Sequence, residues 1–387
     1  MHVSGPQAPS RRRVLKGAAV AAATAALGIG STCPAEASDA SVTATSPDGT
    51  TSITMSLTGG SLQWSARRKG AAVVAGSAMG LRLSDGTTLG TDAALTNYQH
   101  WHVDRTWNPV FGRNATVLDA YQEMRWNLRD NRTSINFGVQ IRAYATGVAF
   151  RYVLLDPGTA SIAGELTTFV FPDGTLVHSA RDEDDYNPVT PGSIPPTGTS
   201  STDTGPLTDL PLTATCSGGL IACVCESARF NYPRMMLSSV SGQPNTLAAY
   251  LMQHTARGSG TVQTTSTVST PFATPWRAVV IGSTHAELVD SAELVLNLAP
   301  AGALADTSWI RPGKVFRCNL TTADGLGAST SPPPAACSTS STTRGGTARN
   351  TPRPTPRSRS PPSTCRRSSP TPPAKGSASS STSTPWP

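Results

Sequence analysis

Apolar and polar residues alternate with a period of two along much of residues 38–326, a pattern typical of β-strands that bury one face. The clearest runs are residues 53–57, 124–128 and 135–141. In the third run the apolar positions alternate with Asn136, Gly138 and Gln140, which predicts a strand with one buried and one solvated face.

Turn-forming residues separate these runs at short intervals. Ser217, Gly218 and Gly219 predict a hairpin between strands at 212–216 and 220–225. The spacing indicates an all-β fold, a large antiparallel β-sandwich in one domain. The remaining predictions are turns at 129–132 and 145–147, strands at 148–154, 279–281 and 294–298, a short helix at 284–290 and a surface loop at 188–209.

The composition changes abruptly after Leu326. Residues 327–387 contain thirteen prolines but no Leu, Ile, Val, Met, Phe, Tyr, Asp or Glu. Such a segment cannot bury enough apolar area to offset the entropy of ordering it, so we predict a disordered Pro/Ser/Thr/Arg-rich tail.

Two interpretations of the tail compete. It is either a Ser/Thr/Pro-rich stalk or the product of a frameshift, since a shifted frame in GC-rich DNA yields mainly the residue types found here. Codons chosen for the tail and read from the third base permit stretches such as VDFAAARGLL and VEYDAGWYG. These resemble a helix face and a strand of an α/β barrel, which favours the frameshift.

Residues 1–37 have the features of an export signal. Arg11 and Arg12 begin a twin-arginine pattern, an Ala-rich apolar run follows, and Ala35-Glu36-Ala37 fits a cleavage site. The apolar run is too short for a spanning helix. We therefore predict secretion, with no membrane segment in the mature form.

The net charge of +7 does not indicate a nucleic-acid-binding protein. The tail carries +8 and residues 1–37 carry +3, so about −4 remains on residues 38–326. The basic character thus lies outside the predicted domain, and nucleic acid is not an expected partner.

Four cysteines lie within the predicted domain, Cys216, Cys223, Cys225 and Cys318, and the C-x6-C-x-C spacing of the first three matches no zinc pattern. Cys223 and Cys225 alternate onto one strand face, which favours buried free thiols. A disulfide from Cys216 to one of them is the alternative for an exported protein.

Candidate chemistry is sparse. Residues 182–187 form an acidic cluster for which solvated charge is favoured over calcium binding. His100 and His102 share a strand face without a visible third ligand, which favours a structural strand. No nucleophile motif or phosphate loop is present.

Several motifs, taken in order, resemble the N-terminal domain of glycoside hydrolase family 97, over most of residues 46 to about 326. They are SPDG at 46–49, WNPVFG at 107–112, RAY at 142–144, GVAFRY at 147–152, PFATPWR at 271–277, LNL at 296–298 and DTSWIRPGK at 306–314.

The resemblance implies a β-super-sandwich that precedes a catalytic (β/α)8 barrel and a small C-terminal β domain. It also implies exo-acting α-glucosidase or α-galactosidase activity with calcium in the active site, where the sandwich lends one glutamate. Residues 225–233, CESARFNYP, are similar to that stretch, H-E-A-A-L-x-D-Y-P. Glu226 matches the glutamate, whereas Cys225 replaces a histidine and Asn231 an aspartate.

Glycoside hydrolysis needs two positioned carboxylates, and in this family the barrel supplies both. We therefore expect an α-linked glucoside or galactoside as partner of the intact enzyme only, no catalytic residue in this chain and negligible calcium binding by it. The rival hypothesis is a stand-alone carbohydrate-binding sandwich on a stalk. It needs an exposed aromatic platform, whereas we expect Trp101 and Trp107 to pack in the core.

Overall fold

The computed structural model describes residues 39–181, 186–195, 205–255, 262–310, 314–319, 321 and 337–343. The predicted signal and most of the predicted tail lie outside the described residues. The described residues form two compact units. One runs up to Thr106 and resumes at Leu118–Pro300, and the other comprises Trp107–Val117 and the described residues from Ala301 onward.

Strands predominate in both units. In chain order the elements are β1 (Ala40–Thr45), β2 (Thr51–Thr58), β3 (Ser61–Arg68), β4 (Ala71–Ala78), β5 (Leu81–Leu83), β6 (Thr88–Leu89), β7 (Ala93–Trp107), β8 (Val117–Asp130), β9 (Asn136–Tyr144), β10 (Gly147–Glu165), β11 (Thr168–Val170), β12 (Leu176–Ser179), β13 (Asn187–Val189), a 3-10 turn (Pro191–Ser193), β14 (Leu207–Thr208), β15 (Leu212–Thr215), β16 (Ile221–Ser227), β17 (Met235–Val240), β18 (Gln243–Leu251), β19 (His254–Thr255), β20 (Val262–Gln263), β21 (Ser266–Ala273), β22 (Trp276–Gly282), α1 (His285–Asp290), α2 (Glu293–Asn297), β23 (Lys314–Asn319) and β24 (Cys337–Thr343).

Three larger antiparallel sheets and the two-stranded ladder β19-β20 build the first unit, as far as it is described. One has the order β1-β2-β3-β4, and a second has the order β11-β18-β17-β14. The largest follows β13-β12-β15-β16-β22-β10-β9-β8-β7, with β21, β5 and β6 attached through β10. The predicted antiparallel β-sandwich is confirmed.

Trp64 joins the three sheets in one core. Its ring lies 4.8 Å from Phe150 of the largest sheet and 5.5 Å from Phe169 of the β11 sheet, measured between ring centroids. Its indole N–H donates to the carbonyl of Thr168 at 3.1 Å, so the polar atom of this buried side chain is satisfied.

Two predictions about the strands prove wrong. Residues 294–298 were expected to be a strand, but α2 covers most of them. Leu294 and Leu298 are buried while Leu296 is exposed, which is a helical spacing. The expected solvated face of β9 is buried as well, because Gln140 is 2% exposed.

Stacked cations and rings cover that second face of β9. The Arg142 guanidinium lies 4.2 Å from the Tyr121 ring centre and 4.5 Å from that of Trp276, and it pairs with Glu123 at 2.6 Å. Arg151 lies against Trp276 at 4.4 Å, and burial, reinforced by nearby Arg142, lowers the pKa of Arg151 to about 10. Polar residues that predict a wet face thus form a buried cation–π stack.

Other local predictions are confirmed. Gly219 donates its N–H to the Cys216 carbonyl at 3.0 Å and closes the β15–β16 hairpin. The short helix is α1, capped by the Thr284 hydroxyl, which accepts from the Glu287 N–H at 3.2 Å. No helix in the described part of the chain has the length and apolar character needed to cross a bilayer.

The second unit contains a strand within the segment predicted to be disordered. β24 pairs in parallel with β23. Six of its seven residues are Ser or Thr, in an unbroken run after Cys337, and Thr is a good strand former.

Substitution of Gly147, at the start of β10, tests how closely β10 and β22 pack. Its φ is +154°, and a Cβ there would lie 2.3 Å from the Val279 carbonyl oxygen. We expect Gly147→Ala to destabilise the chain by about 3 kcal/mol in urea unfolding, because only backbone movement relieves the clash. Gly219→Ala, also at positive φ but facing open space, should cost only about 1 kcal/mol. Equal unfolding midpoints for the two variants would contradict the packing.

Candidate functional site

Glu226 lies near the end of β16, directly opposite Arg277 of β22 in the strand register. The chain then reverses through a loop in which Ala228 has φ +56° and Asn231 has φ +51°. Left-handed backbone costs a residue such as alanine about 1–2 kcal/mol, and strain of this kind gathers at functional sites. The loop therefore holds Glu226 at a strained strand end.

Three groups contact the Glu226 carboxylate. Arg277 Nη1 donates to Oε2 at 2.8 Å, and the backbone N–H of Met235 donates to the same oxygen at 3.3 Å. Arg229 Nε lies 3.4 Å from Oε1. The side chain keeps 14% of its surface exposed, so Oε1 is the oxygen left with capacity for another ligand.

Arg277 connects Glu226 to a second, fully buried carboxylate. Its Nε donates to Glu165 Oε2 at 3.1 Å and its Nη2 to Oε1 at 2.5 Å, with both side chains 0% exposed. Burial by itself would lower the pKa of Arg277, but the Glu165 charge overrides this and raises it. The arginine is therefore a permanent cation between two glutamates.

The remaining acceptor positions of Glu165 are also occupied. Tyr232 donates its hydroxyl to Oε1 and Thr167 donates to Oε2, each at 3.0 Å. Tyr152 bonds Thr167 at 2.7 Å, and burial raises the pKa of the Tyr152 and Tyr232 hydroxyls, so both stay protonated. Glu165 thus has a structural role, with no free oxygen to offer.

Glu226 by itself does not provide a calcium site. Calcium takes six to eight oxygen ligands, and the described residues contain no group of three or more His, Cys, Asp or Glu side chains arranged for a metal. Two of the groups around Glu226 are guanidinium cations, which compete with a metal for its oxygens. The donor set present here does not fit a resident calcium ion, and the role of Glu226 as one ligand among several stays a prediction.

Two open cavities flank this strand end. A polar one of about 1150 Å³ is lined by residues of the 229–234 loop and of β21 with the segment before it. A more apolar one of about 530 Å³ has Cys223, Cys225 and Glu226 on its wall. Arg234 lines both, so the Glu226 loop separates the two cavities.

Cys216, Cys223 and Cys225 are free thiols, as predicted, and the alternative disulfide from Cys216 is not formed. Cys225 hydrogen-bonds Cys223 on the shared strand face. This contact lowers the pKa of Cys223, while the same contact and burial raise the pKa of Cys225.

The other sequence candidates do not form a site. Residues 182–185 of the acidic cluster lie outside the described residues. His102 bonds Gln122 at 3.0 Å, and both His100 and His102 are exposed on β7. The expectation that Trp101 packs in the core is wrong, since 38% of its surface is exposed along an edge strand. Trp107 is half-buried.

Sequence reasoning missed Glu165 and its network. Glu165 comes at the end of a 19-residue strand, where an acidic residue usually faces solvent. The available signal was Arg277 inside the run WRAVVIG, since a cation flanked by apolar strand residues requires a buried anionic partner.

Comparison with known proteins assigns the described fold to a family. Residues 44–300 match the family described as "Glycosyl-hydrolase 97 N-terminal". The chain belongs to this family. The resemblance drawn from the motifs is thereby confirmed for the N-terminal domain of glycoside hydrolase family 97.

Relatives of this family 97 domain are glycosidases. The retaining alpha-galactosidase of Bacteroides thetaiotaomicron is 27% identical over 294 residues, 70% of this chain and 43% of the relative. The probable retaining alpha-galactosidase of Streptomyces bingchenggensis is 27% identical over 292 residues, 73% of this chain and 42% of the relative.

Solved structures of a Glycoside Hydrolase Family 97 enzyme from Pseudoalteromonas sp. strain K8, in complex with panose or with acarbose, are also similar. Each has a TM-score of 0.60 at 26% identity and covers 71% of this chain and 40% of that one. The chain therefore spans about two fifths of the length of these relatives.

Arg277→Met tests whether the buried ion pair organises the site. Removing the cation leaves Glu165 buried without its partner, and we expect a loss of about 3–5 kcal/mol in the free energy of unfolding. Arg132→Met is the matched control, because the Arg132–Asp92 pair is 61% and 37% exposed and should contribute at most about 1 kcal/mol. Indistinguishable unfolding midpoints in urea would refute the assignment.

Proposed function

We propose that this chain is the N-terminal sandwich of an exported exo-acting α-galactosidase or α-glucosidase, and that it does not hydrolyse glycosides itself. The family match over residues 44–300 carries the proposal. In the same proposal, a frameshift after Leu326 replaces the catalytic barrel with the tail. The composition of residues 327–387 supports the frameshift, because this segment contains no large apolar side chain except one Trp and otherwise has only Ala and Cys among the apolar residues.

The buried carboxylates support the inactivity of the chain. Glycosidases position one carboxyl as acid and a second as base or nucleophile on either side of the bond. Here Glu165 pairs with Arg277, Glu123 with Arg142 and Asp119 with Arg105 at 2.8 Å. Carboxylates held by guanidinium groups in this way stabilise the fold, and their oxygens are engaged in these ion pairs.

Glu226 is the point at which the sandwich would take part in the complete enzyme. Its Oε1 is the less occupied oxygen and its side chain reaches the surface. We assign it as a single calcium ligand that is completed by barrel residues, so this chain alone binds calcium negligibly. Calcium, when bound in the complete enzyme, would supply electrophilic assistance at the sugar.

Export by the twin-arginine route belongs to the same proposal. It rests on Arg11 and Arg12, the Ala-rich run and the Ala35-Glu36-Ala37 cleavage pattern. The mature protein would then be secreted, without a membrane segment.

A second candidate function, a stand-alone carbohydrate-binding module, would need the exposed aromatic residues of β7 as its sugar platform. Trp101 and Tyr98 are exposed there by 38% and 56%. They lie three positions apart on one strand, however, and so face opposite sides. The Arg125 guanidinium also lies 5.3 Å from the Trp101 ring centre and covers one of its faces. The rings of Trp101 and Tyr98 therefore do not form a joint platform for a sugar.

Resequencing the gene from the codon for Ala323 past that for Pro387 tests the frameshift directly. We expect a single-base change that opens a barrel frame, and we expect the repaired protein to release p-nitrophenol from its α-galactoside or α-glucoside. The chain as given should release none. Hydrolysis by that chain would overturn the proposal. If the chain as given releases or absorbs heat when it is titrated with maltose or melibiose, the binding module would be favoured instead.

Glu226→Gln in the repaired enzyme tests the calcium assignment. Removing one anionic ligand should weaken calcium affinity by about 10-fold or more, measured by titration of the apoenzyme with calcium. Asp173→Asn, an exposed carboxylate bonded to Asn245, is the control and should leave the affinity unchanged. Equal affinities for the Glu226→Gln variant and the unmodified enzyme would remove Glu226 from the site.

A further inference from the structure

Cys223 and Cys225 form a dithiol that the proposed function does not use. They point to the same side of β16 and are joined by a hydrogen bond between their thiols. Both line the cavity of about 530 Å³, and Cys223 is partly exposed to it. Cys216 packs in the main core instead and is not part of this wall.

A disulfide between the two is disfavoured by the strand itself. Residues two apart in an extended strand have Cα atoms about 6.6 Å apart, near the upper limit for a disulfide. The pairing of both positions to β22 holds the strand extended. Two reduced thiols therefore stay side by side at the cavity wall.

The donor set selects the class of ligand. Thiolates are soft ligands that favour Cu(I), zinc and iron–sulfur clusters, and zinc normally requires four ligands. The described residues offer no group of three or more metal-ligating side chains. A cation that is satisfied by two sulfurs fits, and Cu(I) has this coordination.

We propose that Cys223 and Cys225 form a two-thiolate site for a soft monovalent cation of the Cu(I) class. Binding forms two sulfur–metal bonds and releases both thiol protons to the solvent, with no change in oxidation state. The bound unit carries one negative charge, and the same wall holds Arg234, which pairs with Asp209 at 3.1 Å, together with the Glu226 carboxylate. Apolar wall residues, including Leu210, Leu288 and Val295, limit the access of water to the bound ion.

Anaerobic titration with Cu(I), supplied as its acetonitrile complex against the chelator bathocuproine disulfonate, tests the site. The full chain is used first, followed by a background in which Cys33, Cys318, Cys337 and Cys365 are serine. We expect one tightly held Cu(I) per chain in both, with an ultraviolet thiolate-to-copper absorption. Cys223→Ser and Cys225→Ser should each lower the affinity by more than about 100-fold, beyond the cost of losing a supporting contact.

Cys216→Ser, which removes a buried thiol outside the cavity, should retain the affinity. Circular dichroism identifies any variant that fails to fold, and the partly exposed Cys223 makes Cys223→Ser the safer of the two. X-ray absorption should show two sulfur neighbours around copper. Undiminished binding by folded Cys223→Ser, an equal loss in Cys216→Ser, or copper without two sulfurs would each overturn the proposal. Since these readouts involve no glycoside, the result is independent of the hydrolase role.

Discussion

The buried ion pair between Arg277 and Glu165 is the constraint on which the site depends. A charge taken out of water needs its partner and its hydrogen bonds, and here every acceptor position of Glu165 is occupied. The partners come from β10, β22 and the loop that follows β16, so satisfying one carboxylate fixes three segments. Glu226 is placed by the same guanidinium that neutralises Glu165.

In this arrangement the charged groups that stabilise the fold are distinct from the one carboxylate that is available to a ligand. The buried carboxylates Glu123 and Glu165 are paired with arginines and hold strands of the largest sheet together, whereas Glu226 keeps one oxygen near the surface. A domain of this kind suits a supporting part in hydrolysis better than the main one. It can present a single ligand rigidly while a second domain supplies the reacting groups, which is the division of labour proposed for the complete enzyme.

Comparing prediction with structure shows where local pattern suffices. The run 53–57 predicts β2 because every second side chain of this strand is buried, and the sequence alternates between apolar and polar residues accordingly. The segment 294–298 misleads because five residues with three leucines suit a strand or a helix equally. Gln140 misleads for another reason, since its burial is caused by Arg142, two positions further along the same strand, and by Arg151 and Trp276, which come from other strands.

The sequence by itself determined the all-β class, most strand positions, the family and the placing of Glu226 at a strand end. Periodicity and ordered motifs depend on residues close together along the chain, so they can be recognised from the sequence without a three-dimensional structure. Only the tertiary structure decided that Glu165 closes on Arg277, that Glu226 shares this cation, and that Cys223 and Cys225 open onto a cavity. Those contacts join residues such as Glu165 and Arg277, which are 112 positions apart in the chain, and only the tertiary arrangement of the strands brings them together.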